Sequence, residues 1–305
     1  MCILALAWQL FDDMPLALIS NRDEFYQRPS RALMAWADSP IFAGKDLQSG
    51  GSWMGVSQTG RWAILTNYRD GREQQSYLTS RGQIIADYLQ GEDSPLHYAR
   101  ALQQRQCDYA GFNLLLGTRE QAVYMNNRGD APTLLAAGAY VLSNTGLYEY
   151  WDKTARLRKR FTQELLPLLQ QKIQQYRLRV PRAYEAKPLA LWQGSRSLLS
   201  TQQLSLVHAL GSDVDVLSTS WDILQDQRQT ELQCLPDTGI ARDMEQLLSA
   251  IFIRSPVYGT RCSNLLLLGH RQGFWLEKQQ QGECQGQIKQ QNIVFNACVA
   301  GHKCV

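Results

Sequence analysis

The sequence predicts an α+β fold in which antiparallel sheets are covered by helices. Three observations carry that expectation. Paired strands open the chain, helical periodicity clusters in its middle, and strands return at its end. A doubly wound parallel sheet would instead alternate strand and helix throughout, and this order does not.

Residues 3–8 are apolar and of strand length, 10–15 carry turn chemistry in Asp12, Asp13 and Pro15, and 16–20 are apolar again. The chain therefore opens on a β-hairpin. Strands at 52–57 and 61–65 flank a tight Gln58-Thr59-Gly60 turn, and others fit 112–116, 122–126, 139–142, 263–268, 273–277 and 293–296. Helical spacing of apolar residues marks 80–89, 95–104, 152–175 with a break at Pro167, 201–210 and 242–252. No internal repeat or linker divides the chain, so 1–305 reads as one domain ending in a short polar tail, Gly301-His302-Lys303-Cys304-Val305.

Composition removes several function classes. A hydrophobic share of 44% with 19% charged residues is that of a folded core and excludes disorder. The 31 Lys and Arg against 28 Asp and Glu leave a formal charge of only +3, and no basic cluster alternates with aromatics, so no nucleic-acid partner is expected. The basic run Arg156, Arg158, Lys159, Arg160 reads as the solvated face of a helix. The apolar start lacks a basic leader region and no stretch approaches the ~20 residues of a membrane span, which sets a cytoplasmic expectation. The seven cysteines are irregularly spaced without a CxxC pair, so neither a zinc site nor a disulfide framework is indicated.

Cys2 calls for a separate argument. Beside so small a residue the initiator Met1 is normally removed, leaving a thiol and a free α-amine on one residue. Such an amine titrates near about 7.7–8.0 and can take the thiol proton without a histidine. That fits the absence of any partnering pattern among His97, His208, His270 and His302. If the hairpin turns between Asp12 and Asp13, antiparallel partners sum to about 25, which sets Cys2 opposite Asp23 and beside Arg22 and Asn21. The run Asn21-Arg22-Asp23-Glu24 is then either a solvated strand end or the wall of a pocket. An arginine beside the thiol favours thiolate, so a depressed Cys2 pKa is expected. Asn67, Asn144 and Arg261 each stand where an apolar strand meets a loop, the usual place for site residues. An asparagine amide there can hold a developing oxyanion.

The run Ser20-Asn21-Arg22-Asp23-Glu24-Phe25-Tyr26 with Arg28-Pro29 resembles the signature of the NRDE family, also called the transport-and-Golgi-organisation family. Further matches are Gly50-Gly51-Ser52-Trp53-Met54-Gly55-Val56, Leu65-Thr66-Asn67-Tyr68-Arg69, Ser80-Arg81-Gly82, Gly111-Phe112-Asn113-Leu114, Leu142-Ser143-Asn144 and Tyr258-Gly259-Thr260-Arg261. They run in order over nearly the whole chain. The resemblance implies an αββα sandwich of the N-terminal-nucleophile hydrolase type, most similar to choloylglycine hydrolases and penicillin V acylases.

Carried over position by position, the resemblance implies Cys2 as nucleophile, Arg22, Asp23 and Arg261 as groups that position the amine and thiol, and Asn67 and Asn144 as oxyanion donors. Asn21, Trp53 and Tyr68 are the implied ligand-binding positions. Two departures stand out: Arg22 and Asp23 are adjacent where those hydrolases separate the pair by two residues, and Ser143 replaces their threonine. The resemblance leaves two functions open. One is hydrolysis of an acyl amide or thioester, which needs no cofactor and no metal. The other is a carrier of haem or an acyl lipid in the same pocket, with His302 and Cys304 as the nearest thing to haem ligands. A purely structural role has no feature in its favour, and the oligomeric state is not legible.

Overall fold

The computed structural model describes residues 2–73, 75–77, 79–179, 205–281 and 284–296. The expected tail with His302 and Cys304, the start of the helix expected from residue 201, and Met1 lie outside the described residues.

Two antiparallel sheets form the centre. The first has six strands in the order β10-β1-β2-β11-β12-β13. These are β1 (Cys2–Phe11), β2 (Met14–Phe25), β10 (Gly138–Leu142), β11 (Tyr258–Leu268), β12 (Gln272–Gln279) and β13 (Ile288–Val294). The second has seven in sequential order: β3 (Ser30–Ala35), β4 (Ile41–Asp46), β5 (Met54–Ser57), β6 (Trp62–Asn67), β7 (Phe112–Gly117), β8 (Ala122–Asn126) and β9 (Thr133–Leu134). Among the described residues the α-helices are α1 (Arg81–Gln90), α2 (Pro95–Gln103), α3 (Asp152–Arg160), α4 (Leu166–Arg179), α5 (Leu206–Gly211), α6 (Val214–Leu224) and α7 (Arg242–Leu247).

Strand alternation explains why the layers stack as helix, sheet, sheet, helix. Along β1, Leu4, Leu6 and Trp8 point between the sheets against Val56, Trp62 and Tyr124. Ile3, Ala5 and Ala7 point the other way, against Leu157 of α3, Leu169 of α4, Leu210 of α5 and Ile223 of α6. Helices α1 and α2 cover the far side of the second sheet through Ile84, Ile85, Leu89, Ala99 and Leu102. Strands buried on both faces read as continuous apolar runs, which is why the sequence reveals β1, β2 and β11 so clearly.

Several expectations are corrected. The hairpin register is one residue off: Cys2 pairs with Arg22, not Asp23. The ladder shifts between Trp8 and Phe11, where Gln9 takes a left-handed conformation (φ 49°), and such a bulge leaves no mark in hydrophobic pattern. The break foreseen at Pro167 is a π turn over Phe161–Leu165, one turn ahead of the proline. The helix expected over 242–252 ends at Leu247, and the last strand runs over Ile288–Val294, not 293–296. That strand is a sheet edge whose glutamines face solvent, so its only deeply buried apolar anchor is Ile293. Strands β3, β4 and β9 and helix α6 are absent from the sequence reading. They are short or carry charge on one face, which weakens any periodic signal.

Asn21 ties the layers together. Its amide donates to the carbonyls of Leu224 at 2.8 Å and Ile251 at 2.9 Å, and its carbonyl oxygen accepts from Ser263 at 2.6 Å. The Asn21→Ala change would remove the donor to two buried carbonyls and the acceptor of the Ser263 hydroxyl, which keeps only the bond it receives from Gln280. It should lower the unfolding free energy by about 2–4 kcal/mol. Denaturant titration checks this, and an unchanged midpoint would show that the three bonds stabilise nothing.

Candidate functional site

Because β2 lies between β1 and β11, its Arg22 has a cysteine on each side, Cys2 on β1 and Cys262 on β11. Directly opposed residues share a face, so both thiols and the guanidinium look into the space between the sheets. Asp23, one residue on, turns to the helical face as Asn21 does. There its Oδ1 accepts from Thr260 Oγ1 at 2.7 Å, and the same Thr260 oxygen accepts from the Ile253 amide at 3.0 Å.

Cys2 stands at the wall of a cavity of about 110 Å³ between the ends of the two sheets. Burial pushes its thiol up from the ordinary value, and the Asp23 carboxylate adds to the push. The positive amino terminus, Arg22 and the Asp23 backbone N–H pull the other way without prevailing. The expected depressed pKa is thus corrected. One arginine that is itself shared does not outweigh removing the thiolate from water.

That sharing is visible around Arg22. Its guanidinium lies 3.9 Å from the centre of the Trp53 ring, with Nη2 3.9 Å from Asp46 Oδ2. Asp46 is also held by Arg28 Nε at 2.6 Å and by the backbone N–H groups of Gln48 and Ser49. Burial alone would raise the Asp46 carboxyl, but these donors outweigh it and hold it below the usual carboxylate range. Trp53 thus lines the cavity.

The remaining walls come from Glu24, Ser49, Ser52, Leu65, Asn67 and the start of α1 at Ser80, Arg81 and Gly82. Gly51 and Gly82 bring two backbones together. A Cβ on Gly51 would lie 2.3 Å from the Gly82 carbonyl carbon, and the Ser52 amide donates to the Gly82 carbonyl at 3.2 Å. Only glycine permits that approach.

Asn67 closes β6 and lines the cavity. Asn144 does not line it. It is buried, and its Nδ2 donates to the Asn67 carbonyl at 2.9 Å while its own carbonyl accepts from the Arg69 amide at 2.7 Å. Ser143 Oγ reaches the Cys2 carbonyl at 3.4 Å, and the Ser143 carbonyl accepts from Thr66 Oγ1. Asn144 and Ser143 thereby fasten the end of β10 to both Cys2 and Asn67.

Three further expectations meet a different geometry. Asn21 serves the core, as described. Tyr68 reaches outward, its hydroxyl donating to Glu149 at 3.3 Å. Arg261 occupies a bulge between Thr260 and Cys262, so it leaves the ladder. Its Nη1 donates to the carbonyls of Phe25 and Arg28, which braces the turn carrying Arg28 instead of touching the thiol.

Thr260, Asp46, Arg28, Arg81 and Lys153 are site residues that no expectation from the sequence names. Thr260 and Arg81 lie inside quoted runs, so their signal is present but unweighted. Lys153 hides in the basic stretch after Trp151 and is only 2% exposed. Its Nζ donates to the Leu248 carbonyl at 2.9 Å and lies 5.6 Å from the Trp151 ring centre. Burial pushes this amine down to about 7, and Arg69 adds to that, while Asp23 and Glu245 oppose it. Burial likewise pushes the Asp23 carboxyl up, against the pull of the amino terminus, Thr260, Lys153 and Arg22. Arg69 is paired with Glu245 at 2.7 Å. Arg156, expected on a solvated face, is buried too and contacts Asp152 and Asp226.

The family model described as Transport and Golgi organisation 2 matches residues 1–180. A Bos taurus Transport and Golgi organization protein 2 homolog is 37% identical over 148 residues, 45% of this chain and 53% of that protein. The Homo sapiens homolog is 29% identical over 270 residues, 83% of this chain and 82% of that protein. The chain thus spans about half the length of the bovine relative it matches. Among solved structures, a mutant of conjugated bile acid hydrolase from Clostridium perfringens aligns at 9% identity and TM-score 0.39, covering 95% of this chain and 92% of that one. A Caenorhabditis elegans N-acylethanolamine-hydrolyzing acid amidase ortholog aligns at 10% identity and TM-score 0.36, over 53% and 78% of the two chains. No helix among the described residues is long and apolar enough to cross a membrane.

Lys153 yields a pH signature. Its pKa falls from 10.5 in the unfolded chain to about 7 in the fold. Between those values the unfolded chain holds a proton that the folded one has released, so stability rises with pH from 7 towards 10. It is lost again as the pH falls back, with a slope of up to about 1.4 kcal/mol per unit from this group. Lys153→Met should flatten that slope in urea titrations, and equal slopes in both proteins would refute the buried-amine assignment.

Proposed function

Since the chain belongs to the Transport and Golgi organisation 2 family and sets Cys2 against a small charged cavity, we propose that it hydrolyses an amide or thioester of a small acyl compound. Cys2, exposed as the N-terminal residue once Met1 is removed, is the nucleophile. The observation that carries this reading is the division of labour across the first sheet. Cys2 and Asp23 reach one cavity from adjacent strands, the thiol from the inter-sheet face and the carboxyl from the helical face, where Thr260 holds it.

A thiol raised by burial is a poor resting thiolate, so it needs a base at the moment of attack. The α-amine of the same residue is within reach by construction. The sulfur adds to the acyl carbon, the thiol proton passes to the amine, and the carbonyl oxygen becomes an oxyanion. Asn67, on the cavity wall, is the donor for it, and Asn144 positions Asn67 through its carbonyl. In the amide case, the ammonium returns the proton to the leaving nitrogen as the C–N bond breaks; a departing thiolate takes the same proton when the substrate is a thioester. Water then attacks the acyl thioester, giving its proton to the amine and releasing the acid with the thiol restored. Asp23 and Lys153 hold the charge of the amine's surroundings in balance.

A haem or acyl-lipid carrier is the rival reading. Cavities that bury ligands of drug size measure roughly 300–1,000 Å³ and are mostly apolar. Here the cavity is about 110 Å³, its walls are largely charged or polar, and no histidine lines it among the described residues.

Intact mass of the protein purified from cells should lack Met1. In a panel of small acyl thioesters and amides, Cys2→Ala should abolish turnover while shifting the unfolding free energy by less than about 1 kcal/mol. Equal hydrolysis by both proteins would end the enzyme reading. Alkylation of Cys2 should be slower at pH 7 than that of the exposed Cys107 and should climb as the pH rises through its elevated pKa. Arg22→Leu should retard it further.

A further inference from the structure

We propose that the acyl compound taken by this cavity carries a carboxylate, and that Arg81 is the specificity-determining residue that receives it. The inference rests on the hydrolase reading for its acyl chemistry, but its geometry stands apart from Cys2. Three arginines line the cavity, Arg22, Arg28 and Arg81, against three acids, Asp23, Glu24 and Asp46. The pairing is uneven. Asp46 is spent on Arg28 and Arg22, and Asp23 accepts from Thr260. Glu24 Oε1 accepts the Phe25 amide at 2.9 Å.

Arg81 is the cation left over. Among the described residues it pairs with no carboxylate, and Glu24 and Glu73 act on it only through space, with Arg28 and Arg128 opposing them. Its Nη1 donates to the Gly111 carbonyl at 2.9 Å, which occupies one of five donors and anchors one edge of the guanidinium. The backbone beneath it is fixed as well, because the Gly51–Gly82 approach locks the first turn of α1 against the segment that leads through Trp53 into β5. A half-buried guanidinium on a rigid wall, beside a cavity too small for a long chain, matches a compact anion better than an extended apolar acyl group.

The test uses the full-length protein and two isosteric thiol reagents, iodoacetate and iodoacetamide, one anionic and one neutral. In each reaction a sulfur–carbon bond forms at the thiol and iodide leaves. The rate ratio of iodoacetate to iodoacetamide is read by mass spectrometry at Cys2, with the exposed Cys107 and Cys234 as internal references. The ratio at Cys2 should exceed that at the references by roughly tenfold, the factor one charge-assisted hydrogen bond supplies. Arg81→Gln should erase the excess, Arg81→Lys should keep part of it, and Glu24→Gln should raise it. An excess that survives Arg81→Gln, or no excess at all, overturns the proposal. If neither reagent modifies Cys2, the hydrolase reading fails, and the carboxylate site is decided on Cys2→Ala protein instead. Thermal stabilisation there by succinate but not succinamide, lost in the added Arg81→Gln change, supports the site, and equal effects of the two refute it.

Discussion

The site depends on the antiparallel pairing of one strand with two neighbours. β2 lies between β1 and β11, and its side chains alternate between the inter-sheet space and the helical layer. That alternation sends Ser20 and Arg22 to one side and Asn21 and Asp23 to the other. A single-residue slip would exchange them, placing a carboxylate beside the thiol and an arginine among the core helices. Two bulges, one after Trp8 and one at Arg261, fix the observed choice. The chemistry is thus set by backbone irregularities, while the apolar strands around them supply the rigidity.

Charge burial is the second constraint. Arg22, Asp23, Arg69, Lys153, Glu245 and Glu277 are all removed from water near the end of this sheet. Each burial costs several kcal/mol unless partners compensate, and the compensation here is uneven. Arg69 and Glu245 form a close pair, whereas Lys153 has a carbonyl and an aromatic ring but, among the described residues, no carboxylate within ion-pair distance. Glu277 accepts from the Leu33 amide, and burial raises its carboxyl. A fold optimised for stability alone would replace such groups with hydrocarbon. They gather towards Cys2 and Asp23, the two groups on which the proposed hydrolysis rests, while Arg61 is buried elsewhere against the Tyr88 ring.

The same contrast explains what was legible in the sequence. Long apolar runs made β1, β2, β6, β7 and β11 readable, and the polar run at 21–24 drew attention to the right strand end. Cys2, Arg22, Asp23, Trp53 and Asn67 meet at one cavity. Asn144, Tyr68, Arg261 and Asn21 do not line it, since a residue at the end of a strand can turn to either side and a pattern of residue types does not say which. The one-residue register error has a similar origin, because a bulge changes geometry without changing composition. Lys153 was least visible of all. Its neighbours Arg158, Lys159 and Arg160 are solvent-facing in part, and nothing in the run Asp152-Lys153-Thr154 distinguishes a buried amine from a surface one.

The raised thiol, finally, constrains any mechanism more tightly than a depressed one would have done. A thiolate stabilised by Arg22 could act from anywhere in the chain, with no nearby base. A thiol held neutral by burial needs its proton taken as the bond to carbon forms. Among the described residues no histidine lines the cavity, and Asp46 is committed to two arginines. Asp23 is turned to the opposite face and is itself pushed towards its neutral form by burial. On the proposed hydrolase reading the base is a group covalently fixed within reach of the sulfur, and the α-amine of Cys2, once Met1 is removed, has that property at any backbone conformation. On that reading the neutral thiol and the lack of an uncommitted side-chain base among the described lining residues are one requirement seen from two sides.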